Sequence, residues 1–361
     1  MLEAHAGQRP AILLERNNDF FEETVPNLTE QQYREQFRLS RATVAQISNM
    51  LGRQQHPFGA GKPPPPREKQ ILLTLWYLGS VMSLRKVAML FGVSTMTALK
   101  YIAEVTSLLA DMHADVIRMP ETAQEQENVS AAFETLHGLP CAVGALDGCH
   151  IPMNKPVNTE DSEAFVNRKG FYSINLLAVC DAKRLFRDIC VGWPGSVHDS
   201  RIFRNSSLGK RLMEENFLDR GKFLIADAAF QLQPWLMTPF RENQNYLNPD
   251  PVNNRKKKHF NKVLSSTRVK VEHGFGLLKA RFRRLTYVEI KSVEKATKIV
   301  VACCVLHNLS MQLGDQWEED NGLAAPAIPE GQEQGELQQG EYAAAAGRRA
   351  ELVEQLWLMR T

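Results

Sequence analysis

Four consecutive prolines, Pro63 to Pro66, close the stretch GAGKPPPP and forbid any regular element from crossing it. Each proline lacks a backbone donor and fixes its own φ, so neither a helix nor a central strand can run through the four. Such a run forms a stiff, extended connector, and the chain of 361 residues is divided early. Before the prolines, TEQQYREQFRLSRATVAQISNML has helical periodicity within residues 27 to 52, which makes 1–66 a helical segment with its connector. After them REKQILLTLWYLGSVMSLRKVAMLFGVSTMTALKYIAEVTSLLA keeps the helical rhythm, in a piece spanning residues 67 to 135. There Leu84, Val87, Ala88 and Phe91 make a short apolar face, Gly92 supplies a turn, and Ser94 caps a second helix carrying Leu99 and Ile102. That is a helix-turn-helix-like pattern, the alternative being a plain three-helix core piece. Lys100 is the base in the first turns of its second helix.

From Cys141 the rhythm changes. CAVGALDGCHI, GFYSINLLAVCD and RLFRDICVGWPG are short apolar runs rich in small and β-branched residues, and DAKR joins the last two as a hairpin. SVHDSRIFRNSSLGKRLMEEN reads as one helix, GKFLIAD as a fourth strand, and the segment around Glu272 as a long helix. Three strands, a helix, a strand and further helices predict an α/β domain over residues 136 to 313, with a mixed sheet flanked by helices. Residues 314 to 361 form an acidic low-complexity tail with a short terminal helix; ten acids and three bases there leave +9 on the rest of a chain whose total is +2. A basic body of this kind suits a polyanion.

No run is apolar enough to span a membrane, and MLEAHAGQRP lacks the pattern of a signal peptide, so a cytosolic or nuclear place is expected. Six cysteines without dense spacing read as reduced thiols. Cys303, Cys304 and His307 stand in an apolar run, where a buried structural role outweighs zinc.

The stretch between Val252 and Val288 carries eleven Lys or Arg and one carboxylate, Glu272. On the predicted helix Val271, Phe275, Leu278, Phe282 and Leu285 form a core stripe, and Glu272 lies at its edge on a face shared with Arg268, Lys279 and Arg283. Gly274 and Gly276 weaken a helix, which points to something approaching its backbone. Asp147 and Asp227 each stand where a predicted strand stops, a place where ligands of α/β sheets gather and where an Asp can equally begin a turn. Carboxylates that hold Mg²⁺, with positive charge around them for the rest of a nucleic acid, are what phosphodiester cleavage requires. A surface Glu pairing with neighbouring bases is the other reading, and composition alone leaves both open.

GALDGCHI, FVNRKGFYSINLLAVCD, VGWPGSVHDSRIF, PWLMTPFRE, VEHGFGLLKARFRRL and VACCVLHNLS follow one another between Cys141 and Ser310. In content and order they resemble the PIF/Harbinger transposase family of the DDE superfamily. The resemblance implies an RNase H-like core whose three acids fall on Asp147, Asp227 and Glu272, with Mg²⁺ or Mn²⁺ as cofactor and DNA as substrate. It implies a two-metal endonuclease with a separate Myb-like DNA-binding protein as partner; a nuclear and also cytoplasmic location and a homo-oligomer are expectations beside it. Asp199, in the motif VHDSRIF, reads as support for a helix start. Arg168, Lys169, Lys279, Arg281, Arg283 and Arg284 are candidates for phosphate contacts. NNRKKKH, residues 253 to 259, suits nuclear localisation, a DNA contact or a solvated loop. Where family members carry a Gly-Asp-Ser-Gly-Tyr type of sequence, this chain has Ala226-Asp227-Ala228-Ala229-Phe230. That departure keeps a catalytically inactive DNA- or partner-binding scaffold as the alternative.

Overall fold

A computed structural model describes residues 17, 19–52, 66–157, 159–214, 217–241, 250–315 and 339–360. Pro63 to Pro65, the N-terminal ten residues and the acidic stretch 316–338 lie outside the described residues. The chain forms two compact units, Met1–Val105 and Thr106–Thr361.

In the first unit, α1 (Glu30–Phe37), α2 (Arg41–Gly52), α3 (Arg67–Gly79) and α4 (Leu84–Leu90) lead into α5 (Thr95–Asp111). Thr29 and Gln32 form a reciprocal capping box at the start of α1. Gly92, at φ 67°, makes the left-handed turn after α4, and Ser94 Oγ accepts the Thr97 N–H at 3.0 Å to cap α5. The two-helix pattern read from the sequence therefore forms. Beneath it Phe20, Phe37, Trp76 and Phe91 meet edge to face.

In the second unit, α6 (Ala123–His137) precedes β1 (Ala142–Pro152), β2 (Ser173–Cys180) and β3 (Phe186–Pro194). Then come α7 (Asp199–Asn205), α8 (Ser207–Glu214), β4 (Phe223–Ile225), β5 (Leu236–Met237), α9 (Pro251–Arg281), α10 (Val293–Gln312) and α11 (Gln339–Leu358). The sheet order is β3-β2-β1-β4-β5; β1–β2 and β2–β3 pair antiparallel, β1–β4 and β4–β5 parallel. This is the expected mixed sheet flanked by helices, in the RNase H-like arrangement. α9 packs on β1 and β2, and α7 on β2 and β3. The Asp147 side chain meets Arg268 of α9, whereas Asp199 of α7 presses on Gly148, the next residue of β1. Successive strand residues face opposite ways, so α9 and α7 cover opposite faces of the sheet.

Several expectations need correction. Asp147 does not end its strand; β1 continues to Pro152, with Gly148 opposite Leu177 of β2. The single helix read over SVHDSRIFRNSSLGKRLMEEN is two, broken at the extended Ser206. Its hydroxyl donates to Phe203 O at 2.7 Å and accepts the Gly209 N–H at 3.0 Å, ending one helix and starting the next. β5, two residues long, was not read at all. NNRKKKH is no loop but the start of α9, capped by Asp250 with Pro251 in its first turn. The terminal helix is not short: α11 has 20 residues and packs on α9, where Glu354 pairs with Lys256 at 2.7 Å.

Candidate active site

Asp147 sits in the middle of β1, and both of its carboxylate oxygens are engaged. Oδ1 accepts its neighbour's backbone N–H, from Gly148, at 2.9 Å, and Oδ2 accepts from Arg268 Nη1 at 2.6 Å. The other end of that guanidinium, Nη2, lies 2.6 Å from Glu272 Oε1, one turn further along α9. This second contact is an ion pair without an aligned N–H, and Glu272 Oε1 is a buried oxygen with no hydrogen bond. α9 comes this close because of Gly274, where an added Cβ would stand 3.1 Å from Cys180 Sγ of β2. The expected close approach thus holds at Gly274; at Gly276 an added Cβ would meet nothing within 4 Å.

Asp227 follows β4. Ala145 of β1 is level with Ile225, the last residue of β4, and Asp227 follows two residues later, near enough for its charge to act on Asp147. Asp227 Oδ1 accepts the Ala229 N–H at 2.9 Å, and Arg241 Nη2 donates to Ala228 O at 2.9 Å, which fixes the loop from both sides. Among the described residues the non-glycines with positive φ are Arg38, Cys141 and Arg184. Ala228 and Ala229 therefore hold ordinary backbone conformations, and alanine in place of glycine or serine strains nothing there.

Burial pushes the Asp147 carboxyl up to about 7; Arg268 and the Gly148 N–H pull it down, and the charges of Asp227 and Glu272 push it up again. The three acids share one electrostatic neighbourhood. Among the described residues no three acid, His or Cys side chains form a ready-made metal cage, and Asp147 and Glu272 pair with Arg268 instead. The donor set nonetheless fits a hard divalent cation: all three side chains offer oxygen, and Glu272 Oε1 is a buried acceptor lacking a hydrogen bond.

A second polar group stands three residues further along β1. His150 Nδ1 and Ser173 Oγ are 3.2 Å apart, and Asn167 Nδ2 donates to the same Ser173 oxygen at 3.0 Å. Asn167 Oδ1 accepts the Lys169 N–H at 2.9 Å, so this network shapes the turn that exposes Arg168 and Lys169. Lys279 Nζ donates to His150 O at 3.0 Å. Burial pushes the His150 imidazole down to about 4, with the Arg168, Lys279 and Lys169 charges acting in the same direction. Of the remaining phosphate-contact candidates Arg283 is exposed. Arg281 and Arg284 are each 1% exposed, the first donating to Asp315 O at 2.7 Å and the second paired with Glu289 at 3.4 Å; both hold the fold and are corrected to that role. Cys303 and Cys304 are buried in α10, and His307 Nε2 lies 2.9 Å from Arg184 O.

Two site features escaped the sequence reading. Arg268 was noted only as a neighbour of Glu272, although its place one turn earlier puts it within reach of that acid. Asp199, 4% exposed, begins α7 and also reaches β1: a Cβ on Gly148 would stand 1.8 Å from its Oδ2. The sequence signal of Asp199 was the motif VHDSRIF, and that of Arg268, outside the matching stretches, was its place four residues before Glu272.

Residues 146–308, which contain all three acids, match the model of the DDE superfamily endonuclease family. The chain is 31% identical over 271 residues to "Putative nuclease HARBI1" of Rattus norvegicus, covering 74% of each chain. It is 32% identical over 254 residues to the Homo sapiens protein of that name, covering 69% of each. "Protein ALP1-like" of Arabidopsis thaliana is 27% identical over 268 residues, 71% of this chain and 63% of that one. No solved structure matches the chain.

Proposed function

The chain belongs to the DDE superfamily endonuclease family, with the Harbinger-derived nucleases among its relatives, and on that premise we propose that it is a divalent-metal-dependent DNA endonuclease of transposase origin. The observation that carries the reading is one guanidinium touching Asp147 and Glu272, with the charge of Asp227 felt at Asp147. Asp147, Asp227 and Glu272 would hold Mg²⁺ or Mn²⁺, one ion or two. When bound, the metal supplies an activated water nucleophile and charge to stabilise the leaving oxygen.

The chain's own residues position the rest. The Gly148 and Ala229 N–H groups orient the carboxylates of Asp147 and Asp227. Arg168, Lys169 and Arg283 offer exposed charge to backbone phosphates, and Lys279 shares the surroundings of His150 with Arg168 and Lys169; such contacts fix register without reading bases. Sequence choice and nuclear entry fall to a Myb-like DNA-binding partner, as the family resemblance implies.

A non-catalytic DNA-binding scaffold is the second reading, favoured by the Arg268 charge already seated between Asp147 and Glu272. Nicking of supercoiled plasmid in Mn²⁺ separates the two. Cleavage by the wild type that disappears in Asp147→Asn and Glu272→Gln is expected. Full DNA binding with no cleavage, identical in all three proteins, establishes the scaffold.

A further inference from the structure

The acids of the proposed metal site are not vacant ligands, because a cation of the chain already lies between two of them. We propose that Arg268 stands in for the metal: it holds Asp147 and Glu272 together in the metal-free protein, and a divalent ion binds only by displacing it from Asp147. The inference rests on the nuclease reading of the same site.

Geometry is the first argument. Arg268 Nη1 is 2.6 Å from Asp147 Oδ2 and Nη2 is 2.6 Å from Glu272 Oε1, so one planar fork spans acids of two different elements, β1 and α9. The side chains are 18%, 16% and 29% exposed, which leaves little water to screen two carboxylates if the guanidinium departs. Each Asp147 oxygen already has one donor, Gly148 N–H on Oδ1 and Arg268 on Oδ2. The Arg268 guanidinium occupies the gap between Asp147 and Glu272, so a cation that joins these two acids must take its place.

Helix chemistry is the second argument. A base four residues before an acid is the weaker order for an intrahelical pair, so Arg268 adds little to α9 by contacting Glu272. Its distinctive contact is the one off the helix, to Asp147. A divalent ion brings twice the charge to the same carboxylates, and two cations in one small site repel each other.

The sign of the expected effect separates this from a merely structural arginine. An arginine that only braced the site would, when removed, let the acids splay and weaken metal binding. A competing one would, when removed, strengthen it. The test is Mn²⁺ binding without DNA, followed by the paramagnetic resonance signal of free Mn²⁺, on wild type, Arg268→Gln, Arg268→Lys and Asp147→Asn, together with the melting temperature of each metal-free protein. Arg268→Gln is expected to bind Mn²⁺ roughly tenfold more tightly, equivalent to about 1.4 kcal/mol. It should melt lower without metal and gain more on Mn²⁺ addition than the wild type does. Arg268→Lys, a point charge that reaches one carboxylate at a time, is expected in between, and it carries the test if Arg268→Gln does not fold. Wild-type binding that depends on Asp147, with unchanged or weaker binding in the Arg268 variants, overturns the displacement and leaves the nuclease reading standing. Absence of Mn²⁺ binding in every protein overturns both.

Discussion

Gly148→Ala puts the architecture around Asp147 to its sharpest test. The added Cβ would stand 1.8 Å from Asp199 Oδ2, 2.3 Å from its Cγ and 2.6 Å from Oδ1, where ordinary contact begins near 3.4 Å. The carboxylate must retreat by about 1.6 Å or β1 must shift by a comparable amount. Neither is easy, because Asp199 is buried at the first residue of α7, which packs on β2 and β3, while Gly148 is paired across to Leu177. Overpacking of this kind costs about 1–3 kcal/mol. If β1 takes up the shift, Asp147 moves with it, and a misplacement of about 1 Å costs on the order of 10²-fold in rate. Urea unfolding of Gly148→Ala, Asp199→Ala and the pair gives the stability terms, and plasmid nicking gives the rate. Removing the Asp199 carboxylate should make the alanine at 148 better tolerated, with a favourable coupling of about 1 kcal/mol. A Gly148→Ala protein within about 0.5 kcal/mol of wild type, the range of a neutral surface change, would refute the claim that Asp199 occupies the space below Gly148.

Acid should unfold the second unit partly through His307, whose imidazole burial pushes down from 6.5 to about 4. As pH falls below 6.5 the unfolded chain takes a proton there that the folded chain refuses, so stability drops by up to roughly 3 kcal/mol between pH 6.5 and 4. His150 acts with the same sign over the same window. Urea unfolding across that range should show a shallower pH slope in His307→Gln, and an unchanged slope would remove this histidine from the account. On α9, Arg255, Lys258 and Lys262 are exposed at i, i+3 and i+7, a basic stripe on the helix that carries Glu272. Reversing all three to Glu should weaken duplex binding and lower the slope of log affinity against log salt by up to about 3. A slope equal to that of wild type would place the DNA elsewhere.

The strands, the long helix and the neighbourhood of three acids were legible because each rests on a local pattern: apolar runs of small and β-branched residues, the 271-275-278-282-285 stripe, and acids beside strand runs. All five stripe residues are buried. What could not be read depends on contacts distant in sequence. Gly148 looked like a strand end because glycine weakens strands; the opposite is true, since β1 needs glycine there for Asp199, 51 positions later, to approach. The break at Ser206 turns on a hydroxyl that serves two helix ends at once, and nothing in the apolar periodicity marks it.

The eleven bases between Val252 and Val288 pose the same problem in a stricter form, because charge in a sequence does not say where the charge points. Arg281, the last residue of α9, lies outside the angular range of the core stripe and is buried all the same, donating to Asp315 O at 2.7 Å. Arg255, Lys258 and Lys262 lie on the far side of the helix and remain exposed. Arg268 belongs to neither set: it sits at the margin of the stripe, beside Glu272, and reaches across to β1. The single carboxylate in this stretch is thus not a charge offset for the bases around it. Most of those bases are committed to solvent or to the fold, and the one that does contact Glu272 contacts Asp147 as well. Glu272 stands two residues before Gly274, where α9 presses on Cys180 of β2, and it shares Arg268 with the acid of β1, so that two carboxylates hold one cation between them.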